Sequence, residues 1–403
     1  MDRLFFAIAS DPTIRNALIM IRCQFFVLCW SLLMAATASS KDSSPLMLEM
    51  QAQINRQEIV GGIAVAGSAD GVIEMVVGGH ADLAQKRAMP EDGLFWIASM
   101  SKPVTACAIM KLQELGKLHV NDPVAKYLPS FTELKDSQGK PASITIGQCL
   151  SHCSGLSEVP RDKEATMTSL DEVATTVAAL PLVFAPGSQW RYCQSSINTA
   201  ARVVEVVSGM SFENFLQKHF FVPLEMNDTT FYPSEQQVKR LVTSYRRQQN
   251  QWQAVSLGFL AGKSPSDRHR YPRGNGGLFS TARDYGHFAQ MLLGKGQWRG
   301  KRVLSEASVR EMTQVHTGDL KTGFTPGNGW GWGVCVVREP QGISASLSAG
   351  SFGHGGAYGT QCWIDPVRGR YFLLMVQRAD FPNSDGSSPR QHLQEKAFAL
   401  NEP

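Results

Sequence analysis

The period of the hydrophobic positions changes several times along this chain. Gln57 to Ala66 and Val72 to Gly78 are rich in valine and isoleucine and flank Asp70-Gly71. That pattern predicts a β-hairpin closed by a tight turn. Val104 to Leu115 is apolar around most of a helical girth, the mark of a buried helix. Pro103 fits its first turn, where a missing N–H costs nothing, and Gly116 stops it. Asn121-Asp122-Pro123 and Leu128-Pro129 then break the chain. From Ile144 to about Leu224 the pattern is helical, with Thr145 able to cap one helix and two more predicted over Asn198–Ser208 and Phe212–Phe221. Asn227 to Asn275 is polar and irregular and reads as loops over a surface cleft. Gly276 to Asp284 opens a helix that runs through Leu293, capped by Ser280 or Thr281. Gly331–Arg338, Gly342–Leu347, Gln361–Asp365 and Tyr371–Gln377 read as strands, and the tail from Pro389 to Leu400 as a helix.

Strands at both ends with helices between predict an α+β fold. One antiparallel sheet is built from both ends of the chain, flanked by helices, with a mainly helical region inserted. The expected division is a leader over 1–38, a sheet domain from 45–130 and 276–400, and a helical domain over 131–275. No internal repeat is visible.

The 403 residues are 43% hydrophobic and 18% charged, with a net charge of +4, an ordinary globular balance. Small basic clusters at Arg246-Arg247 and between Arg268 and Arg273 read as solvated surface, and no long basic run suggests nucleic acid. The apolar run Phe25–Ala36 follows Arg22 and ends in Ala36-Thr37-Ala38-Ser39-Ser40. A basic start, a short apolar centre and small residues predict an export signal, with Met20 as an alternative start and an uncleaved anchor as an alternative fate. The run is short for a membrane span. Cys23 and Cys29 fall in this leader. Cys107, Cys149, Cys153, Cys193, Cys335 and Cys362 are scattered, and a chain this long needs no disulfide staples. Cys149-Leu150-Ser151-His152-Cys153 lacks a second ligand cluster, so neither a metal nor a cofactor is expected.

The chemistry gathers at Phe95-Trp96-Ile97-Ala98-Ser99-Met100-Ser101-Lys102-Pro103. Ser99 stands three residues before Lys102, on one face at the mouth of the buried helix. A serine hydroxyl is a poor nucleophile until a base takes its proton. A lysine one turn away can be that base if burial or a neighbouring cation lowers its pKa. Ser137-Gln138-Gly139-Lys140 repeats the spacing in a polar loop with no helix behind it, so spacing alone carries little. Two further stretches add partners. Tyr192 lies just before a helix in Trp190-Arg191-Tyr192-Cys193-Gln194-Ser195-Ser196 and could shuttle the serine's proton if cations lower its pKa; alone it reads as a packing tyrosine. Ser351-Phe352-Gly353-His354-Gly355-Gly356-Ala357-Tyr358-Gly359 lets a ligand approach the backbone closely; alone it reads as a turn between strands.

Taken in order, these stretches resemble the serine β-lactamase and penicillin-binding-protein superfamily. The nearest likeness is its class C β-lactamase-related branch, with its family VIII carboxylesterases and D-amino-acid peptidases. The resemblance covers about Gln57 to Arg378. It extends to Gly116-Lys117-Leu118, Leu150-Ser151-His152-Cys153-Ser154-Gly155-Leu156, Gly276-Gly277-Leu278-Phe279-Ser280-Thr281 and Trp330-Gly331-Trp332-Gly333. It implies Ser99 as the acylated nucleophile, Lys102 as its partner and Tyr192 as the tyrosine of a Tyr-x-Asn motif. His354-Gly355-Gly356 matches the third motif, and the N–H groups of Ser99 and Ala357 are the implied oxyanion donors. Two residues depart from the pattern. Gln194 replaces the usual asparagine and moves its amide by one methylene. His354 replaces the lysine usual in β-lactamases, so the fixed cation for a substrate carboxylate becomes a mostly neutral imidazole that gains charge as pH falls. Both departures weaken the β-lactamase reading and favour esters or peptide-like amides. The expectation is an exported serine hydrolase acting on small-molecule esters. The alternatives are a β-lactamase or D-amino-acid peptidase, and a penicillin-binding sensor that does not turn over.

Overall fold

A computed structural model describes residues 44–323 and 325–400. The predicted export leader therefore lies outside the described residues. The residues from Glu49 onward form one compact unit. The N-terminal hairpin forms as its pattern dictates: β1 (Gly61–Ser68) and β2 (Gly71–Asp82) pair antiparallel, with Ile63 opposite Val77. A two-residue strand, β3 (Arg87–Ala88), pairs antiparallel with β2. From the other end of the chain come β4 (Asn328–Trp330), β5 (Cys335–Val337), β6 (Phe352–Gly355), β7 (Gln361–Asp365) and β8 (Arg370–Val376). The sheet order is β4-β5-β6-β7-β8-β1-β2-β3. The last strand thus meets the first, with Gly62 opposite Val376 and Ala64 opposite Leu374.

Side chains alternate between the faces of a strand, yet β7 is buried throughout, and β1 and β8 at all but one end residue. Both faces of the sheet's middle must then be covered. A helix over Pro45–Asn55, α1, precedes the hairpin, and its apolar spacing gave no signal of it. The helix α2 (Ser101–Glu114) is buried from Ser101 to Met110 and again at Leu112. It packs against α3 (Gln194–Ser208). The helix α4 (Ala282–Leu293) lies on β1, β7 and β8, and α5 (Ser388–Phe398) on β8 and β1. Thr145 caps a short helix with a full capping box, and Thr281 rather than Ser280 caps α4. The helical stretch after Ile144 is broken into short pieces over Ile146–Leu150, Arg161–Glu164 and Leu170–Ala178 before α3.

Two strand predictions need correction. Gly331–Arg338 is a strand only over Cys335–Val337: Gly333 has φ +66°, and the Gly331 N–H donates to Val334 O to close a turn between β4 and β5. That turn sits on α2, where a Cβ at Gly333 would come within 2.8 Å of Ala106 Cβ and 2.9 Å of Lys102 O. Gly342–Leu347 is no strand, because Gly342 has φ +55° and Gly342–Ser344 winds into a 3₁₀ turn. Its polar groups face α5: Gln394 Nε2 donates to Ile343 O and Ser346 Oγ. The segment from Asn227 to Asn275 also holds more order than its polarity suggests. Ser244–Gln248 and Gln251–Val255 form a hairpin whose two turn residues, Gln249 and Asn250, both have positive φ, the geometry of a type I′ turn.

Candidate active site

Ser99 occupies a 3₁₀ turn over Ala98–Met100 that runs straight into α2. The turn is pinned from several sides. Ile97 N–H donates to Leu278 O, Tyr285 Oη to Met100 O, Ser101 Oγ to Ala98 O, and Gln377 Nε2 to Trp96 O. Ala98 holds φ +46°, a conformation that a residue with a Cβ keeps only when its surroundings impose it. Ser99 is partly exposed in an otherwise buried turn, so its hydroxyl can be reached.

Lys102 is completely buried. Its Nζ lies 3.0 Å from Ser99 Oγ, 2.9 Å from Gln194 Oε1 and 2.7 Å from Asn275 O. None of these acceptors is a carboxylate. Burial therefore lowers the ammonium pKa to about 7; a distant Glu158 opposes the shift and Arg273 adds to it. The geometry suits a neutral amine. Two N–H bonds are directed at Gln194 Oε1 and Asn275 O, neither of which can donate there. The lone pair is left for the Ser99 hydroxyl.

Tyr192 stands over Lys102, with Nζ 4.6 Å from the ring centroid. Its hydroxyl is hydrogen-bonded to Ser99 and lies 3.4 Å from His354 Nε2. Burial pushes the phenol well above its ordinary pKa, so Tyr192 keeps its proton. The condition that cations lower it is not met: burial outweighs the hydrogen bond from Ser99, which pulls the other way. His354 is buried in β6. Its Nδ1 donates to Gly355 O at 2.7 Å, which leaves Nε2 as an acceptor toward Tyr192. Burial, and Lys102 after it, lowers its pKa to about 3. His354 is thus neutral at any ordinary pH, and the charge it was expected to gain in mild acid does not appear.

Gly355 and Gly356 are fixed by close approach. A Cβ on Gly355 would strike the Asp385 carboxylate, and one on Gly356 would strike Thr360 Oγ1 and come within 2.6 Å of Ile97 O. The third motif therefore lies against the turn that carries Ser99. Ala357 follows at the surface, and among the described residues no backbone acceptor pairs with its N–H. Ser99, Lys102, Tyr192, Gln194 and His354 meet in one place. Ser137 and Lys140 lie in an exposed turn closed by Asp136.

Several contributors escaped the sequence reading. Asn275 holds Lys102 through its carbonyl and Gln194 through Nδ2 at 2.8 Å. Glu158 accepts from the N–H groups of Gln194 and Ser195 at the start of α3, the end where a carboxylate is favoured. His152, with φ +61°, packs its ring 4.5 Å from that of Tyr192 and accepts from Cys193 N–H through Nδ1. Trp330 closes the box at 5.9 Å from Tyr192 and 5.6 Å from His354. His152 and Trp330 stood in motif-like stretches, but nothing in one sequence tied them to Tyr192. Among the described residues all six cysteines are buried and free, and no group of side chains is arranged to hold a metal ion.

Comparison with known proteins places this geometry in a family. A family model described as Beta-lactamase matches residues 50–396. Protein Rv1367c of Mycobacterium tuberculosis is 32% identical over 74% of this chain and 81% of its own length. Esterase EstB of Burkholderia gladioli is 26% identical over 85% of this chain and 93% of its own. Among solved structures, EstCE1, a hydrolase with promiscuous acyltransferase activity, matches with a TM-score of 0.75 at 26% identity, covering 88% of this chain and 97% of that one.

Proposed function

The chain belongs to the β-lactamase family and is a hydrolase of that family, and from this premise we propose that it cleaves carboxylic esters through an acyl-enzyme on Ser99. The observation that carries the reading is the buried Lys102, held by two neutral acceptors with its lone pair free for the Ser99 hydroxyl. Lys102 takes the proton as Ser99 Oγ attacks the ester carbonyl. The N–H groups of Ser99 and Ala357 receive the developing oxyanion. Tyr192, which keeps its proton, gives it to the departing alkoxide and regains one from Lys102. Water then cleaves the acyl-enzyme by the reverse relay.

The choice of esters is supported by what stands at the third motif. His354 is neutral there, and the Asp385 carboxylate stands against Gly355. A β-lactam or a D-alanyl peptide brings a carboxylate and finds no fixed cation in that motif. The esterase name of one relative agrees. The test is a panel of p-nitrophenyl butyrate, nitrocefin and a D-Ala-D-Ala peptide. We expect the ester to show the highest kcat/KM at pH 8; faster turnover of nitrocefin or of the peptide would replace this reading with the β-lactamase or peptidase one. Stoichiometric labelling without turnover of any of the three would point to a sensor.

Export is part of the proposal, supported by the pattern over Phe25–Ala36. Among the described residues no helix is long and apolar enough to cross a membrane. N-terminal sequencing of the mature protein should begin close to Ser39, and full-length protein recovered from the cytosol would contradict it.

A further inference from the structure

A cavity of about 350 Å³ is lined by Arg161, Lys263, Arg270 and Arg273, with Glu164 as its one carboxylate. Glu164 is already engaged, by Arg273 and by the Tyr271 hydroxyl at 2.6 Å. Among the described residues Arg161, Lys263 and Arg270 form no ion pair, so the lining carries an excess of positive charge. Arg270 is the deepest of them at 6% exposure. Its Nη2 donates to the carbonyls of Phe231 and Pro265, and its Nε is buried with no hydrogen-bond partner. A desolvated guanidinium with no carboxylate partner favours an anion nearby. Met167, Phe259 and Leu260 supply an apolar wall.

This cavity shares structure with the Ser99 site. Phe259 stacks on Trp96, with centroids 4.7 Å apart, and Trp96 stands three residues before Ser99. Arg273 precedes Asn275, whose carbonyl holds Lys102. The Asn198 side chain spans the two, 3.5 Å from Tyr271 Oη and 3.1 Å from Asn275 N. An apolar wall with surplus cations suits an aliphatic arm that ends in an anion.

We propose that the cavity is the subsite for a carboxylate at the far end of an aliphatic acyl chain, so that hemiesters of dicarboxylic acids are the preferred substrates. The proposal rests on the Ser99 esterase reading. It differs from β-lactam recognition, in which the carboxylate lies beside the scissile carbonyl. The test compares mono-p-nitrophenyl esters of succinic, adipic and suberic acid with neutral p-nitrophenyl esters of equal acyl length. For at least one length the carboxylated ester should be favoured in kcat/KM by about tenfold or more, the scale of one charge-assisted hydrogen bond. The double substitution Arg161→Gln/Lys263→Gln should bring that ratio close to one. Lys295→Gln, at a surface lysine outside the cavity, should leave it in place. Ratios at or below one for every length, or a ratio indifferent to the double substitution, would overturn the subsite. If no ester is turned over, the esterase reading fails by itself, and calorimetric titration with adipate decides on the cavity. Binding weakened by the double substitution supports it, whereas absent or unaffected binding overturns it.

Discussion

At the scale of the residue, the site depends on where protons sit. Lys102 is active as a base only when neutral, and burial brings its pKa to about 7. Activity should therefore be low below that pH, rise through it and level off above, as a plot of kcat/KM against pH would show. A profile flat from pH 6 to 9 would contradict the base role. The same shift has a sign for stability. An unfolded chain keeps the Lys102 proton up to its ordinary pKa near 10.5, while the folded chain releases it near 7. Between those values the unfolded state binds more protons, so the lysine's penalty on folding is relieved as pH rises. Lys102→Met should remove that rise and melt higher than wild type at pH 7, because an unpaired buried cation is gone. Lys102→Ala and Tyr192→Phe should each lower kcat by about 10²–10⁴, and the double substitution should be little worse than either single one. Strictly multiplicative losses would mean independent roles. His354 does not titrate in the working range, so selectivity against a substrate carboxylate should be constant from pH 5 to 8. His354→Lys should raise kcat/KM for nitrocefin relative to p-nitrophenyl butyrate by about tenfold or more.

At the scale of the element, the site is held by backbone placed against backbone. The strand β6 and the Ser99 turn touch where Gly356 meets Ile97 O. Gly356→Ala should push them apart and cost about 10² in kcat, the effect of a displacement near 1 Å. Its far-ultraviolet circular dichroism should match wild type; a fully active Gly356→Ala variant would show that the contact does not position Ser99. The hairpin of β1 and β2, the buried helix α2 and the cap at Thr145 were legible because each is decided by local pattern. The turn missed within Gly331–Arg338 and the strand misread over Gly342–Leu347 show where local pattern fails. Both contain glycines with positive φ, and hydrophobic alternation cannot report a backbone that turns back to fit α2 or α5. The Gln249-Asn250 hairpin is the converse, a polar stretch ordered by its turn. In the site, Ser99, Lys102 and Tyr192 stood in recognisable motifs. Asn275 acts through a carbonyl, and Asp385 arrives from a loop after the last strand, so neither had a residue-type signal to read.

At the scale of the whole molecule, β1 lies between β2 and β8, so the hairpin at one end is completed by a strand from the other. The six cysteines among the described residues are all buried, and burial pushes the Cys193 thiol up to about 12 and the other five upward as well. A preparation lacking the leader should therefore give no prompt reaction with a thiol reagent until it is unfolded in guanidinium; rapid labelling of the native protein would contradict that packing. The most direct measurement on the molecule is fluorophosphonate labelling read by peptide mass spectrometry. The adduct should map to Ser99, disappear in Ser99→Ala and persist in Ser137→Ala. An adduct on another residue, or labelling that survives Ser99→Ala, would contradict the assignment of the nucleophile.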